Sequence, residues 1–205
     1  EAARKLGFTV SQTMMVAQHL YENGRITYMR TDSVNLSSLC LQASKDEIIK
    51  TWGKEYCKTR QYHTHSKGAQ EAHEAIRPTD MSKPTIEGSM QEKRHYELIW
   101  KRTAASQMAD AEIEKTTVNI SVSGCQEQFV TGGEVIKFDG FIKVYHESTD
   151  DEEQRDDESM RLLPPLEEGM PLTRREVAAV QRFTQSPMRY NEASLVHKLE
   201  ELGIG

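Results

Sequence analysis

Apolar residues recur at helical spacing through the first half of this 205-residue chain, and the pattern changes to alternation in the second half. The helical spacing predicts four helices, over residues 9–24, 38–52, 70–76 and 90–108. The first has candidate N-caps at Thr9 and Ser11 and a terminating glycine at Gly24. The fourth begins with a capping box formed by Ser89 and Glu92. The first half therefore predicts a helical domain with its own apolar core.

Alternation of apolar and polar residues begins near residue 115 and predicts a β-rich region. In TTVNISVS (116–123), the aliphatic residues share one face of a strand. The runs QFV, EVIKF and FIKVY are predicted as further strands, joined by hairpin turns at 132–133 and 139–140.

The last part of the chain contains one ambiguous segment and one clear helix. In REVAAVQRF (175–183), apolar residues recur every three positions, which favours a helix. The β-rich context favours a strand instead, and we predict a strand there. NEASLVHKLEELG (191–203) is predicted as a helix that begins after Asn191 and ends at Gly203.

Charge is distributed unevenly along the chain, which has a net charge of −6. Residues 1–110 carry 16 Lys and Arg against 13 Asp and Glu, whereas residues 111–205 carry 10 against 19. Much of the acidic excess lies in ESTDDEEQRDDE (147–158), a composition typical of a solvated loop. The first half is therefore mildly basic, which permits a phosphate-bearing partner without requiring one.

Cysteine usage and hydropathy exclude several classes of protein. The three cysteines, Cys40, Cys57 and Cys125, match neither a zinc-binding pattern nor a dense disulfide framework. No apolar run approaches the roughly 18 residues of a membrane-spanning helix. The charged start EAARKLGF is unlike a signal peptide. We therefore expect a cytoplasmic protein without a membrane partner.

The segment GRITYMRTDS (24–33) brings a phenol and a guanidinium close together. Its β-branched and aromatic residues predict an extended strand in which Ile26, Tyr28 and Arg30 share one face. A tyrosine hydroxyl, with a pKa of about 10, needs help from a neighbouring group to act as a nucleophile at neutral pH. A cation such as Arg30 would stabilise the phenolate and bind the oxygens of a phosphodiester. The spacing alone leaves three roles open for Tyr28: a buried aromatic, a phosphorylation target or a nucleophile.

A second group of polar residues lies in AQEAHEAIRPTD (69–80). On the predicted helix, Gln70, His73 and Glu74 fall within one turn. His73 could donate to a phosphate oxygen or shuttle a proton, because histidine side chains titrate near neutral pH. A surface residue or a metal ligand is the alternative, although the second histidine of an HExxH zinc motif is missing.

Together the two segments resemble the active-site signatures of type IA DNA topoisomerases. GRITYMRTDSVNLS and QEAHEAIRPTD carry the resemblance, and LVHKLEELGIG (195–205) is similar to a third family segment. The three occur in the family's order at compatible spacing, so the likeness runs through nearly the whole chain. TYMR resembles the bacterial topoisomerase I form, whereas topoisomerase III usually has proline at the position of Met29.

The resemblance implies a role for each matching residue. Tyr28 would be the nucleophile that becomes linked to a 5′ phosphate of cleaved single-stranded DNA. Arg30 would position the scissile phosphate and stabilise its charge. His73 matches the family histidine that contacts phosphate near the cleavage site. Three further residues in matching motifs are expected to support the catalytic residues or to contact DNA: Glu22, Asp32 and Arg77.

The resemblance also implies an α+β multidomain fold. A helical, winged-helix-like domain over 1–112 would carry the active-site tyrosine. A partial antiparallel β hinge domain would span 113–187 and contain the acidic loop at 147–158. Residues 188–205 would begin a helical domain that holds single-stranded DNA. In this family the tyrosine domain lifts away on the hinge and opens a gate.

The implied reaction is the ATP-independent relaxation of negatively supercoiled DNA by transient single-strand cleavage, strand passage and religation. Single-stranded and negatively supercoiled DNA are the expected partners, with no small-molecule substrate. We expect a monomer associated with the nucleoid. Mg²⁺ is the expected cofactor, bound by an acidic DxDxE cluster in a domain outside this chain, and the sequence contains no such cluster.

Two further family features are missing from the sequence, the Arg-Pro-Ser-Thr continuation of the third segment and the zinc-ribbon cysteines. We therefore expect an internal fragment that lacks the N-terminal metal-binding domain and the C-terminal region, and that does not relax DNA alone. The alternatives are a non-catalytic DNA-binding or gate module, a member of the topoisomerase III branch, and an interaction protein in which Tyr28 is phosphorylated.

Overall fold

The computed structural model describes residues 1–62, 73–124, 126–146, 166–181, 183–184, 186 and 189–204. The chain divides into two compact units, one of Glu1–Ile113 and Ile136–Asp150, the other of Glu114–Val135 and Asp151–Gly205. The expected acidic loop at 147–158 and residues 70–72 of the third predicted helix lie outside the described residues. In the part of the chain that is described, no helix has both the length and the hydropathy to cross a membrane.

In its described residues, the first unit contains four α-helices: α1 (Ala2–Leu6), α2 (Val10–Glu22), α3 (Ser38–Trp52) and α4 (Met90–Ser106). The predictions of α2, α3 and α4 are confirmed, with small differences at their ends. α1 was not predicted, because a helix of one turn is too short to show a periodic pattern.

Capping side chains determine where α2 and α4 begin. Thr9 Oγ1 accepts a hydrogen bond from the Gln12 N–H at 3.1 Å. Ser89 Oγ accepts from the Glu92 N–H at 3.2 Å, and the Glu92 carboxylate accepts from the Ser89 N–H at 2.8 Å. Gly24 ends α2 at a φ of 65°, in the left-handed region that favours glycine. Of the two candidates predicted for α2, Thr9 is the N-cap and Ser11 lies within the helix; the predicted capping box of α4 is confirmed.

The core of the first unit lies where α2 and α4 meet the segment that follows α2. Leu20, Ile26 and Tyr96 are each 1% exposed, and full burial of such side chains stabilises the fold by about 1.5–3 kcal/mol each. The Trp100 indole N–H donates to the Met81 carbonyl at 2.9 Å, which ties the loop before α4 to the helix. This packing fixes the segment that contains Tyr28.

The described residues of the β-rich region contain one pair of strands. β1 (Glu112–Ser121) and β2 (Gln128–Phe138) pair as a two-stranded antiparallel sheet. The predicted alternation in β1 is confirmed, because Thr116, Val118 and Ile120 are half-buried and the residues between them are exposed. The turn predicted at 132–133 is wrong. Neither glycine there has the positive φ that a two-residue hairpin turn requires, so β2 runs straight through.

Two other predictions for this region are wrong. The expected strand FIKVY is replaced by a short 3-10 helix, Gly140–Lys143, whose Phe141 N–H donates to the Ala109 carbonyl at 2.9 Å. The described residues of 175–183 form neither strand nor helix. Their apolar side chains, such as Phe183 at 79% exposure, have no surface to pack on in the described chain, and spacing alone does not stabilise an element. The final helix, α5 (Glu192–Glu201), is confirmed.

Candidate active site around Tyr28

The two sequence motifs run side by side in opposite directions. Ile26 and Pro78 form an antiparallel bridge, and the Thr27 N–H donates to the Arg77 carbonyl at 2.9 Å. The Thr27 hydroxyl accepts from the Arg77 N–H at 2.9 Å and donates to the Ala75 carbonyl at 2.7 Å. Thr27 therefore holds the backbone of the second motif beside the first.

The strand predicted over the first motif is wrong. Within the described residues, Ile26 is the one position of 24–33 that forms a bridge. Backbone hydrogen bonds flank this bridge on both sides, at Thr27 and Thr79, but the backbone bends at Met29 and Arg30, and the pairing does not extend there. The buried residues are Ile26 and Met29, three positions apart, at 1% and 6% exposure. Strand alternation therefore does not place Tyr28 and Arg30 on one face.

Tyr28 is half-buried between two other rings. Its ring centroid is 5.4 Å from that of Tyr21, in an edge-to-face arrangement, and 5.2 Å from that of His73. Both distances lie in the range of favourable aromatic pairs. The ring also packs against the core of the first unit. These contacts restrict the orientation of Tyr28 and still leave part of the side chain accessible to solvent.

The remaining residues of the first motif lie at the surface. Arg30 and Asp32 are exposed, and Asp32 lines an open groove of about 1000 Å³. Glu22 ends α2 and accepts a hydrogen bond from Gln18 Nε2 at 2.6 Å. Among the described residues, no hydrogen bond or ion pair joins Arg30 to Tyr28. The structure thus brings the rings of Tyr28 and His73 into contact. Arg30, two residues after Tyr28, is exposed to solvent.

The helix predicted over 70–76 is wrong at the residues that are described. Residues 73–76 are not helical. The Ala75 N–H donates to the carbonyl of Asn35 at 2.8 Å and therefore makes no helical hydrogen bond. His73 is exposed at the start of this non-helical segment, where its ring meets Tyr28.

Glu74 links the second motif to the start of α3. Its Oε1 accepts from the N–H of Ser37, the N-cap of α3, and its Oε2 accepts from Arg77 Nη2, each at 2.6 Å. Partial burial acts to raise the pKa of Glu74. The hydrogen bonds from Ser37 and Arg77 and the charge of Arg77 outweigh burial, so the pKa lies below its ordinary value. Glu74 is therefore a charged bridge between two segments.

Arg77 faces the interior of the site. Its side chain is 14% exposed, and its Nη1 donates to the Pro78 carbonyl at 3.0 Å. Its Nε is buried without a hydrogen-bond partner among the described residues, which costs about 1–3 kcal/mol. This geometry favours a supporting role for Arg77 over direct contact with DNA.

Two residues of the site were missed from the sequence. Tyr21 was not predicted as a site residue, yet it is 41% exposed and contacts Tyr28. Its position at the end of α2, next to Glu22, was the available signal. Thr27 had no signal, because its hydrogen bonds join segments about fifty residues apart. No group of three or more His, Cys, Asp or Glu side chains in the described ranges is arranged to hold a metal ion.

Known DNA topoisomerases are similar to this chain over its whole length. The family model for DNA topoisomerase matches residues 1–205. DNA topoisomerase 1 of Zymomonas mobilis subsp. mobilis is 49% identical over 209 residues, which cover 100% of this chain and 17% of that protein. DNA topoisomerase 1 of Rickettsia conorii is 46% identical over 221 residues, which cover 100% of this chain and 28% of that protein.

A solved structure agrees with these matches. Full-length topoisomerase I from Thermotoga maritima is similar with a TM-score of 0.74 and 34% sequence identity, over 100% of this chain and 33% of that chain. The chain therefore spans between 17% and 28% of the length of these curated relatives. The family match and the relatives agree along the full sequence, and the chain belongs to the type IA DNA topoisomerase family.

Proposed function

We propose that this chain is the tyrosine-bearing part of a bacterial topoisomerase I, in which Tyr28 forms a transient covalent link to single-stranded DNA. The observation that supports this most directly is the contact between Tyr28 and His73, whose ring centroids are 5.2 Å apart. They come from two distant motifs that Thr27 binds together. The whole enzyme relaxes negatively supercoiled DNA without ATP.

The proposed chemical step exchanges one phosphate ester for another. The Tyr28 hydroxyl oxygen attacks the phosphorus, and the bond from phosphorus to the 3′ oxygen of the preceding nucleotide breaks. The phenol loses its proton and the 3′ oxygen gains one, which gives a 5′-phosphotyrosine and a free 3′ hydroxyl. The two esters are of similar energy, so the reverse step reseals the strand without ATP.

Arg30 and His73 supply charge and hydrogen bonds for this step. A guanidinium binds two phosphate oxygens at once and stabilises the charge that grows on them in the transition state. Arg30 is exposed two residues after Tyr28, where it can meet a phosphate bound at the phenol. His73 is exposed beside the ring and donates to a non-bridging oxygen. Glu22 and Asp32 act from the surface of the same region.

The proposed domain organisation follows from the family. Residues 1–112 form the winged-helix-like tyrosine domain, 113–187 belong to the β-rich hinge, and 188–205 begin the domain that holds single-stranded DNA. Movement of the tyrosine domain on the hinge opens the gate through which the second strand passes. The enzyme acts as a monomer in the cytoplasm.

Mg²⁺ is proposed to act from residues outside this chain. The carboxylates of the described ranges do not form a metal-binding cluster, and the acidic residues of the site, Glu22 and Asp32, are exposed on separate elements. The described residues therefore do not fit a resident metal, and no step above passes through one.

Covalent trapping tests this proposal. The full-length protein is incubated with a 3′-labelled single-stranded oligonucleotide and denatured rapidly, and labelled protein is measured. Tyr28→Phe should abolish the adduct while DNA binding persists, because only the hydroxyl is lost. Tyr56→Phe, which removes a hydroxyl that donates to the Asp139 carboxylate and does not contact Tyr28, should form the parental amount. An adduct that persists in Tyr28→Phe would show that another residue is the nucleophile.

A second candidate function is a DNA-binding or gate module without chemistry of its own. The small share of its relatives that the chain spans, 17% to 28%, favours this description for the chain in isolation. The topoisomerase III branch is the other alternative. Met29 in the first motif and relatives named DNA topoisomerase 1 support the topoisomerase I branch instead.

A further inference from the structure

We propose that Glu74 is a positioning residue that sets the place of His73 against Tyr28, an inference that rests on the proposed function. Glu74 directly follows His73 and is anchored in two directions. One carboxylate oxygen accepts from the Ser37 N–H and the other from the Arg77 guanidinium, each at 2.6 Å. Charge-assisted hydrogen bonds of this length are about twice as strong as neutral ones.

Among the described residues, the segment that begins at His73 is held by a small number of hydrogen bonds. Residues 73–76 belong to no helix, and the bridge to the first motif lies further along, at Pro78. Between His73 and that bridge, the described anchors are the Glu74 carboxylate, the Ala75 N–H, which donates to the Asn35 carbonyl at 2.8 Å, and the hydrogen bonds of Thr27 to Ala75 and Arg77. The Glu74 anchor is the closest of these to His73 in the sequence.

The hydrogen bond between Ser37 and Glu74 and the ring contact between Tyr28 and His73 connect the two motifs at two points. The chain runs from Tyr28 to Ser37, the Ser37 N–H binds Glu74, and His73 returns to the Tyr28 ring. The stretch between them is ordered by short-range bonds, since the Ser33 N–H donates to Thr31 Oγ1 at 3.1 Å. Glu74 therefore joins the segment after the nucleophile to the histidine beside it.

Loss of the carboxylate should displace His73 and leave the Arg77 guanidinium buried without its anion. Displacement of about 1 Å in a catalytic group lowers rates on the order of a hundredfold. Glu74→Ala should therefore slow adduct formation on the order of tenfold to a hundredfold. Its dissociation constant for single-stranded DNA should stay near the parental value, because Glu74 offers no cation to the phosphates.

Glu74→Gln removes only part of the Glu74 interactions and should therefore have a smaller effect than Glu74→Ala. The amide oxygen can still accept from the Ser37 N–H, but it presents no charge to Arg77. Its rate of adduct formation should lie between those of the parent and Glu74→Ala. Glu97→Gln is the matched control, because the Glu97 carboxylate also accepts a hydrogen bond from a distant residue, Thr85, at 2.8 Å, and lies on α4.

The experiment measures adduct formation and DNA affinity for these four full-length proteins with a 3′-labelled single-stranded oligonucleotide. A slower rate with parental affinity in Glu74→Ala, an intermediate rate in Glu74→Gln and a parental rate in Glu97→Gln support the proposal. A parental rate in Glu74→Ala, or an equal loss of rate and affinity, overturns it. If Glu74→Ala does not fold, Glu74→Gln decides in the same way. A parent that forms no adduct through Tyr28 refutes the proposed function instead.

Discussion

Tyr28 depends on its neighbours for its orientation. The edge-to-face contact with Tyr21 comes from the last turn of α2, and the contact with His73 comes from the second motif. Tyr28 is half-buried and packs against the edge of the core. At this scale the site consists of the Tyr28 phenol, which two other rings hold, and the exposed Arg30, which is proposed to bind a phosphate.

The contact between Tyr21 and Tyr28 should contribute to catalysis. Tyr21→Ala removes an aromatic pair worth about 0.5–1.5 kcal/mol, so adduct formation in the full-length protein should slow by a few-fold. Tyr21→Phe keeps the ring and should react at nearly the parental rate. Equal rates for Tyr21→Ala and the parent would show that Tyr21 does not position the nucleophile.

Glu74 should also make stability depend on pH. Its pKa in the folded chain lies below the usual value of 4.5. Ionised Glu74 therefore stabilises the folded chain above pH 4.5, and this contribution is lost as the pH falls through the lower folded pKa. The difference in unfolding free energy between the parent and Glu74→Gln should shrink between about pH 7 and about pH 3. A difference that stays constant over this range would contradict the assignment.

At the scale of elements, the helices could be predicted from local sequence signals, whereas segments that depend on long-range contacts could not. α2, α3 and α4 could be predicted because their caps and apolar spacing lie within each helix. The two motif segments could not. Their conformation depends on the pairing of Ile26 with Pro78 and on the bond from Ala75 to Asn35, which join distant positions. The motifs indicated candidate site residues, but the sequence did not predict how these residues are arranged in space.

The junction between the motifs should depend on the Thr27 hydroxyl. Thr27→Val keeps the shape of the side chain but leaves the Arg77 N–H and the Ala75 carbonyl without that partner. Unsatisfied groups of this kind cost about 1–3 kcal/mol each, so Thr27→Val should unfold at lower urea concentration. Thr27→Ser, which keeps the hydroxyl, should stay close to the parent.

Tryptophan fluorescence is a suitable probe for this comparison. The chain has two tryptophans, and both Trp52 and Trp100 lie in the first unit with ring centroids 6.1 Å apart. The signal therefore reports on the unit that contains Thr27. Identical urea midpoints for Thr27→Val and Thr27→Ser would show that the hydroxyl does not hold the motifs together.

At the scale of the whole molecule, the chain corresponds to a small part of each of its relatives, and this part contains the proposed nucleophile. It spans 17% of the Zymomonas mobilis protein and 28% of the Rickettsia conorii protein. The chain divides into two compact units. We therefore assign the proposed activity to the full-length protein.

The isolated chain should not relax DNA. Incubated with negatively supercoiled plasmid and Mg²⁺, it should leave the plasmid unchanged on an agarose gel, because the described residues hold no metal-binding cluster. The full-length protein, run alongside, should produce a ladder of relaxed topoisomers. A ladder from the isolated chain would refute the prediction.

The central claim is that Tyr28 is the residue that becomes linked to DNA, and peptide mapping of the trapped adduct tests it most directly. The full-length protein is trapped on a single-stranded oligonucleotide, digested with protease and nuclease, and the nucleotide-bearing peptide is sequenced by mass spectrometry. We predict a 5′-phosphate ester on Tyr28, within the peptide that contains ITYMR. A nucleotide on any other residue would contradict the account.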